Sequence, residues 1–150
     1  MRVVIQRVTE ASVKIEDKIA GSISNGMLVL VGFEETDTHD DIDWMVGKIV
    51  RLRIFGDENG VMNLDVTQVN GNILAVSQFT LHASTKKGNR PSYIKAANPS
   101  IAIPLYNKFI EELQVATSKK IETGIFGAMM MVSLVSDGPV TIIIDSKIRE

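Results

Sequence analysis

Apolar and polar residues alternate from the start of the chain. In "RVVIQRV", residues 2–8, Val3, Ile5 and Arg7 share one face and Val4, Gln6 and Val8 the other, which is the period of a β-strand. "ASVKIEDKIAGSI" continues as strand, turn and strand, reversing near Asp17 and Lys18. "MLVLVGF" is apolar at nearly every position and predicts a central strand covered on both faces. From Thr38 the period changes. Ile42, Met45, Val46 and Ile49 fall at i, i+3, i+4 and i+7, one face of a helix. Thr38 and Asp41 form a capping box with Asp in place of the usual Glu. Asp40, Asp41 and Asp43 crowd the start, and Lys48 and Arg51 lie near the end, as the helix dipole favours.

"LRIFGDENGVMNLDV" reads as a strand, a turn at "GDENG" and a short return, and "NILAVSQFTL" as the next strand. "HASTKKGNRPSYIKAAN" is a long polar loop carrying Lys86, Lys87 and Arg90. In "NPSIAIPLYNKFIEELQ", Asn98 is the N-cap and Pro99 the first helical residue. Ile101, Leu105, Phe109 and Leu113 make its buried stripe, and Pro104 predicts a bend or a later start. "KIETGIF", "AMMMVSLV" and "VTIIID" predict three closing strands. About nine strands and two helices leave too few helices to cover both sides of a parallel sheet, so the class is α+β, with two sheets or one rolled mixed sheet and the helices on one side. Neither repeats nor a composition break divides residues 1–150, which are expected to form a single domain.

A net charge of −2 removes any global attraction to nucleic acid, so a polyanion contact must come from a local patch. With no cysteine there is no disulfide, thiolate zinc site or cysteine nucleophile. No apolar run approaches the roughly 20 residues that cross a bilayer, and the alternating start lacks a signal-peptide core; a cytoplasmic protein without membrane contact is expected. His39 and His82 have no partners at metal-ligand spacing, and neither a phosphate-gripping glycine loop nor a Gly-x-Ser-x-Gly elbow occurs. No metal and no cofactor are expected.

Two segments remain for chemistry. In "SQFTLHA" the strand period sets Ser77, Phe79 and Leu81 on one face and Gln78, Thr80 and His82 on the other. Three hydrogen-bonding side chains on one face are either put to use or meet solvent at a sheet edge. His82, two residues beyond Thr80, is either placed to orient its hydroxyl or simply exposed at the strand end. The second segment is "SDGPVT", between two apolar runs. A plain hairpin would be better served by Asn-Gly or Asp-Gly. The cis form of an X-Pro bond costs little enough for tertiary structure to select it. In a cis unit the carbonyls of Gly138 and Pro139 can point nearly the same way, two main-chain acceptors for an ammonium group with no side chain in between. In a trans unit the pair is an ordinary turn. The fragment alone leaves both open.

Together, "IQRVTEASV", "LVLVG", "RIF" with "MNL", "VSQFTL", "KKGNRPS" and "VSLVSDGPVT" resemble, in order and spacing, the D-aminoacyl-tRNA deacylases over essentially the whole chain. The resemblance implies a three-layer β/β/α homodimer that hydrolyses the ester between a D-amino acid and the tRNA 3′ end, and glycine misattached to tRNA. It implies that Gly138 and Pro139 form a cis unit reaching into the other subunit's site, where an L-side chain is excluded sterically. Arg7 would hold that loop. The family usually has Asn where Ser136 stands, and serine lacks the amide's two-sided hydrogen bonding. Ser77, Gln78, Phe79 and Thr80 would make the catalytic segment, and Lys86, Lys87 and Arg90 would meet tRNA phosphates. Either Thr80 is nucleophile or base, or the terminal adenosine's 2′-hydroxyl activates water while N–H groups around Phe79 and Thr80 bind the oxyanion. The second is preferred, because no general base of the usual kind is in view. The alternatives are a catalytically silent RNA- or ligand-binding module, a Thr80-dependent hydrolase of small esters, and a related branch with a trans Gly-Pro that accepts L-substrates.

Overall fold

A computed structural model describes residues 1–150. In chain order its elements are β1 (Arg2–Ile15), β2 (Lys18–Ile23), β3 (Gly26–Gly32), α1 (His39–Val50), β4 (Phe55–Gly56), β5 (Met62–Leu64), β6 (Asn72–Ser77), α2 (Pro99–Thr117), β7 (Glu122–Thr123) and β8 (Met131–Asp145), with a 3-10 turn at Phe79–His82 after β6. The long strand β1 organises the rest. One of its edges is taken by β3 along Arg2–Val8 and by β2 along Ala11–Ile15; the other is taken by β8, all antiparallel. β6 adds to β3 in parallel and β7 to β6, while β4 and β5 form a separate small ribbon.

Side-chain alternation along this curled sheet builds two apolar clusters. Val3, Ile5, Met27, Val29, Val31, Ile73 and Ala75 face both helices, whose Ile42, Met45, Ile49, Leu105, Phe109 and Leu113 complete the larger core. Val8, Ala11, Val13, Ile23, Leu28, Leu74 and Val76 fill the other face. β3 and β6 therefore feed both clusters, as continuous apolar runs must. The class is α+β with the helices on one side, as the pattern predicts.

α1 begins where Thr38 and Asp41 place it. The Asp41 carboxylate accepts the Thr38 N–H at 2.9 Å, and Lys147 donates to it at 2.7 Å. Burial works against its charge, yet the Lys147 and Thr38 hydrogen bonds hold the Asp41 carboxyl well below the usual carboxylate range. Beside it the Met1 ammonium is buried against Asp37 and donates to Ser146 Oγ at 2.9 Å. The start of β1 and the end of β8 are thus tied to the start of α1. In α2 the Tyr106 hydroxyl donates to the Ala75 carbonyl at 3.0 Å, and burial pushes this phenol up to about 12.

Four expectations are corrected. β6 stops at Ser77, and "FTLH" is a 3-10 turn rather than more strand. α2 starts at Pro99 and carries Pro104 within it, so there is no late start; Ile101 is half-buried, while Ala102 and Tyr106 join the buried stripe. The last three predicted strands are a two-residue β7 and one fifteen-residue β8 that runs through Gly138-Pro139. β8 continues because it bulges there. Its Ser136 pairs with Val8 and its Thr141 with Gln6, so four residues, Asp137–Val140, lie opposite Arg7 alone. Proline's missing N–H falls where the ladder asks for none.

Candidate active site

The parallel pairing of β3 with β6 ends at Val31 and Ser77, and the Gln78 N–H closes it on the Val31 carbonyl at 2.7 Å. The chain then tightens: the Gln78 carbonyl takes the Leu81 N–H at 3.2 Å and the Thr80 carbonyl the Ala83 N–H at 3.0 Å. Phe79 and Thr80 open this turn, so their N–H groups have no partner within it. Gly32 lets the turn sit close, since a Cβ there would come 2.7 Å from the Gln78 carbonyl oxygen and 3.0 Å from His82 Cδ2.

The alternating faces expected for this segment do not form. Gln78 Nε2 donates to Thr80 Oγ1 at 2.5 Å, so the hydroxyl accepts from an amide and no base touches it. His82 turns inward and is buried, with Nδ1 3.2 Å from Glu34 Oε1 and no hydrogen bond to Thr80. Phe79 stands out into solvent, and its ring meets that of Tyr93 edge-to-face at 5.1 Å.

A cavity of about 400 Å³ opens at this turn, between Ser77, Gln78 and Phe79 on one side and the segment Phe126–Met130 on the other. That second wall was missed in the sequence, where "KIETGIF" and "AMMMVSLV" read as two strands on either side of Gly127. Its only signal is Gly127, which adopts φ +77° and breaks the strand geometry. Thr80 does not line this cavity. It faces a second one with Arg2, Trp44 and the Ile142–Asp145 end of β8.

The Gly138-Pro139 bulge is held from both faces of β1. Arg7 is largely buried; its Nε lies 3.0 Å from Asp137 Oδ2, and Nη1 donates to the Ile54 carbonyl. On the opposite face Gln6, not singled out in the sequence, donates to Ser136 Oγ at 2.5 Å and to the Val140 carbonyl at 3.3 Å, and accepts from Thr141 Oγ1 at 2.7 Å. Serine at 136 is thus engaged through its hydroxyl. The Gly138–Pro139 peptide is cis. Gly138 has φ +124°, and a Cβ there would lie 2.8 Å from Val140 Cγ2 and 3.1 Å from Arg7 Nη2.

Within one chain this bulge does not meet the turn. Ser77 is level with Val3, by way of Val31, while the bulge is level with Arg7. That is roughly 13 Å along β1 and three strand spacings, roughly 14 Å, across the sheet. Near the turn, Ser84 and Ser92 exchange N–H···O bonds at 2.8 and 2.9 Å and close a lobe on which Lys86, Lys87 and Arg90 are all exposed.

The family model described as D-Tyr-tRNA(Tyr) deacylase matches residues 4–145. The chain belongs to this family. Among curated members of the deacylase family, the D-aminoacyl-tRNA deacylase of Flavobacterium johnsoniae is 63% identical over 150 residues, the whole of both chains. That of Bacteroides fragilis (strain YCH46) is 62% identical over the same span. A solved structure described as a c-Myc DNA unwinding element binding protein superposes with a TM-score of 0.91 at 40% identity, covering 97% of this chain and 98% of that one. A probable eukaryotic D-amino acid tRNA deacylase superposes at 0.83 and 18% identity over 95% of this chain and 97% of its own, a likeness of fold.

Proposed function

We propose that the chain hydrolyses the ester joining a D-amino acid to the 3′ end of tRNA, releases mischarged glycine in the same way, and works as a homodimer. Gly138 and Pro139 of one copy complete the Ser77–Thr80 site of the other. The observation that carries this is the bulge itself: a solvent-facing main-chain projection, fixed by Arg7 and Gln6 and remote from its own chain's cavity. It lies on a strand whose outer edge is unpaired and whose Met131, Leu134, Val135 and Ile143 are exposed, a surface that suits a second copy.

In this site the amino acid's α-ammonium group lies against the carbonyls of Gly138 and Pro139. The Cα hydrogen of a D-residue fits there, and the side chain of an L-residue collides with main chain. Glycine has no Cβ to exclude. Water attacks the ester carbonyl carbon, the negative charge moves onto the carbonyl oxygen facing the N–H groups of Phe79 and Thr80, and the C–O bond to the terminal ribose breaks. The neighbouring 2′-hydroxyl accepts the water's proton and passes its own to the departing 3′ oxygen. The Gln78-bonded Thr80 and the buried His82 supply no base. Ser77, Gln78 and Phe79 shape the adenosine pocket, and Lys86, Lys87 and Arg90 bind phosphates.

A nucleic-acid-binding module without turnover is the second reading, favoured by the description of the 40%-identical structure as a DNA unwinding element binding protein. Release of D-amino acid from charged tRNA by the purified protein, with p-nitrophenyl esters as controls, separates the cases. Turnover of the tRNA ester, with the p-nitrophenyl esters spared, is expected. RNA binding without release favours the module, and release from simple esters alone favours a general esterase.

A further inference from the structure

The segment from Ala83 to Ile110 contains Lys86, Lys87, Arg90, Lys95 and Lys108 and no acidic residue, in a chain of net charge −2; Lys108 is taken up by Glu111 and Glu112, which leaves the cations of the lobe and Lys95. The exposed aromatic pair sits at the root of its basic lobe. Tyr93 follows directly on Ser92, which the Ser84 pairing fixes, and its carbonyl accepts the Ala96 N–H at 3.0 Å. Tyr93 is 39% exposed and Phe79 56%, with an interplanar angle of 73° between their rings. Phe79 also forms the lip of the 400 Å³ cavity. The order in space is therefore cavity, Phe79, Tyr93, basic lobe.

We infer that the Phe79–Tyr93 pair is a stacking platform for an unpaired nucleobase next to the terminal adenosine of the RNA 3′ end, with Tyr93 as the residue that binds it. Aromatic rings interleaved with cations are the arrangement that holds single-stranded RNA without reading its sequence, because every base offers a π-face and every linkage a phosphate. Charge complementarity selects RNA over an apolar partner: the lobe between Ser84 and Ser92 carries Lys86, Lys87 and Arg90 and no carboxylate, while Glu34 and Glu35 meet the segment beyond it, at Ala96 and Asn98. The inference rests on the tRNA-ester reading above and adds a second nucleotide subsite to it.

The test compares wild type with Tyr93→Leu and Tyr93→Phe on two substrates, D-aminoacyl-tRNA and the minimal D-aminoacyl-adenosine ester, which lacks the stacked nucleotide. One base–aromatic stack is worth about a tenfold change in affinity or more. Tyr93→Leu is expected to raise KM for the tRNA about tenfold with kcat nearly unchanged and to leave the adenosine ester unaffected; Tyr93→Phe restores wild-type KM. Equal losses on both substrates would make Tyr93 a mere support for Phe79 and overturn the inference, as would no change on either. A shift in dimer dissociation with unchanged KM would assign the pair to a protein interface instead. Binding of an uncharged minihelix with and without its single-stranded 3′ end gives a readout independent of turnover. If wild type hydrolyses neither ester, the deacylase reading fails, and the platform stands only if Tyr93→Leu abolishes the preference for the single-stranded end.

Discussion

At Gly138 one added carbon changes the geometry of the whole bulge. Alanine there must hold φ near +124° and place a methyl 3.1 Å from the Arg7 guanidinium, which anchors the loop. Gly138→Ala is expected to lower kcat/KM on D-aminoacyl-tRNA by about a hundredfold or more, the scale on which a misplacement of roughly 1 Å acts. Single-turnover rates check it, with circular dichroism to confirm the fold. Arg7→Met removes the ion pair to Asp137 and strands the Ile54 carbonyl, a loss of about 1–3 kcal/mol visible in urea titration together with loss of activity. At this scale the sequence was legible where the residue type is the message. Gly138, Pro139 and Arg7 stand out by what they lack or carry. Gln6 was invisible, because a half-buried strand glutamine has no signature until its partners on the opposite strand are known.

Among the elements, α1 and the central strands were legible because periodicity over seven or more residues reports burial directly. The turn at Phe79–His82 was not: four residues have no period, and a 3-10 turn entered from a strand looks like more strand. The same limit hid Phe126–Met130 as a cavity wall and split β8 at a proline that the bulge absorbs. The α1 terminus gives a prediction in pH. Asp41 has a folded-state pKa below its ordinary value of 3.8, so its contribution is complete above that value and is lost as acid protonates it in the folded state. Asp41→Asn is expected to lower stability at pH 7 by about 1–2 kcal/mol, the worth of a cap. It also flattens the fall in stability below pH 4, as urea titrations across pH will read. At the other end of the scale, the phenol of Tyr106, pushed up to about 12, favours the folded state below pH 10 and loses that effect as pH rises toward 12. Ultraviolet titration should find one tyrosine ionising late, and Tyr106→Phe should remove that late step.

For the whole molecule, the sheet holds the cavity and the bulge apart, and the proposed site takes one from each of two copies. Its C-terminal strand ends shape the cavity, and its longest strand carries the bulge more than a dozen ångströms away and pointed outward. The proposed dimer would join them across the exposed apolar residues of β8. Leu134→Glu with Val135→Glu is expected to yield a folded monomer in ultracentrifugation that has lost deacylation. No helix is long and apolar enough to cross a membrane. The family and the α+β class with its helices on one side were within reach of the sequence because motifs and periods are local. Which strand edge stays open, and where the bulge points, depend on pairings between residues more than a hundred positions apart. The most direct test of chirality reading by main chain is single-turnover deacylation of one tRNA charged in turn with a D-amino acid, its L-enantiomer and glycine. The account predicts fast release of the D-residue and of glycine with the L-ester spared; equal release of both enantiomers would contradict it.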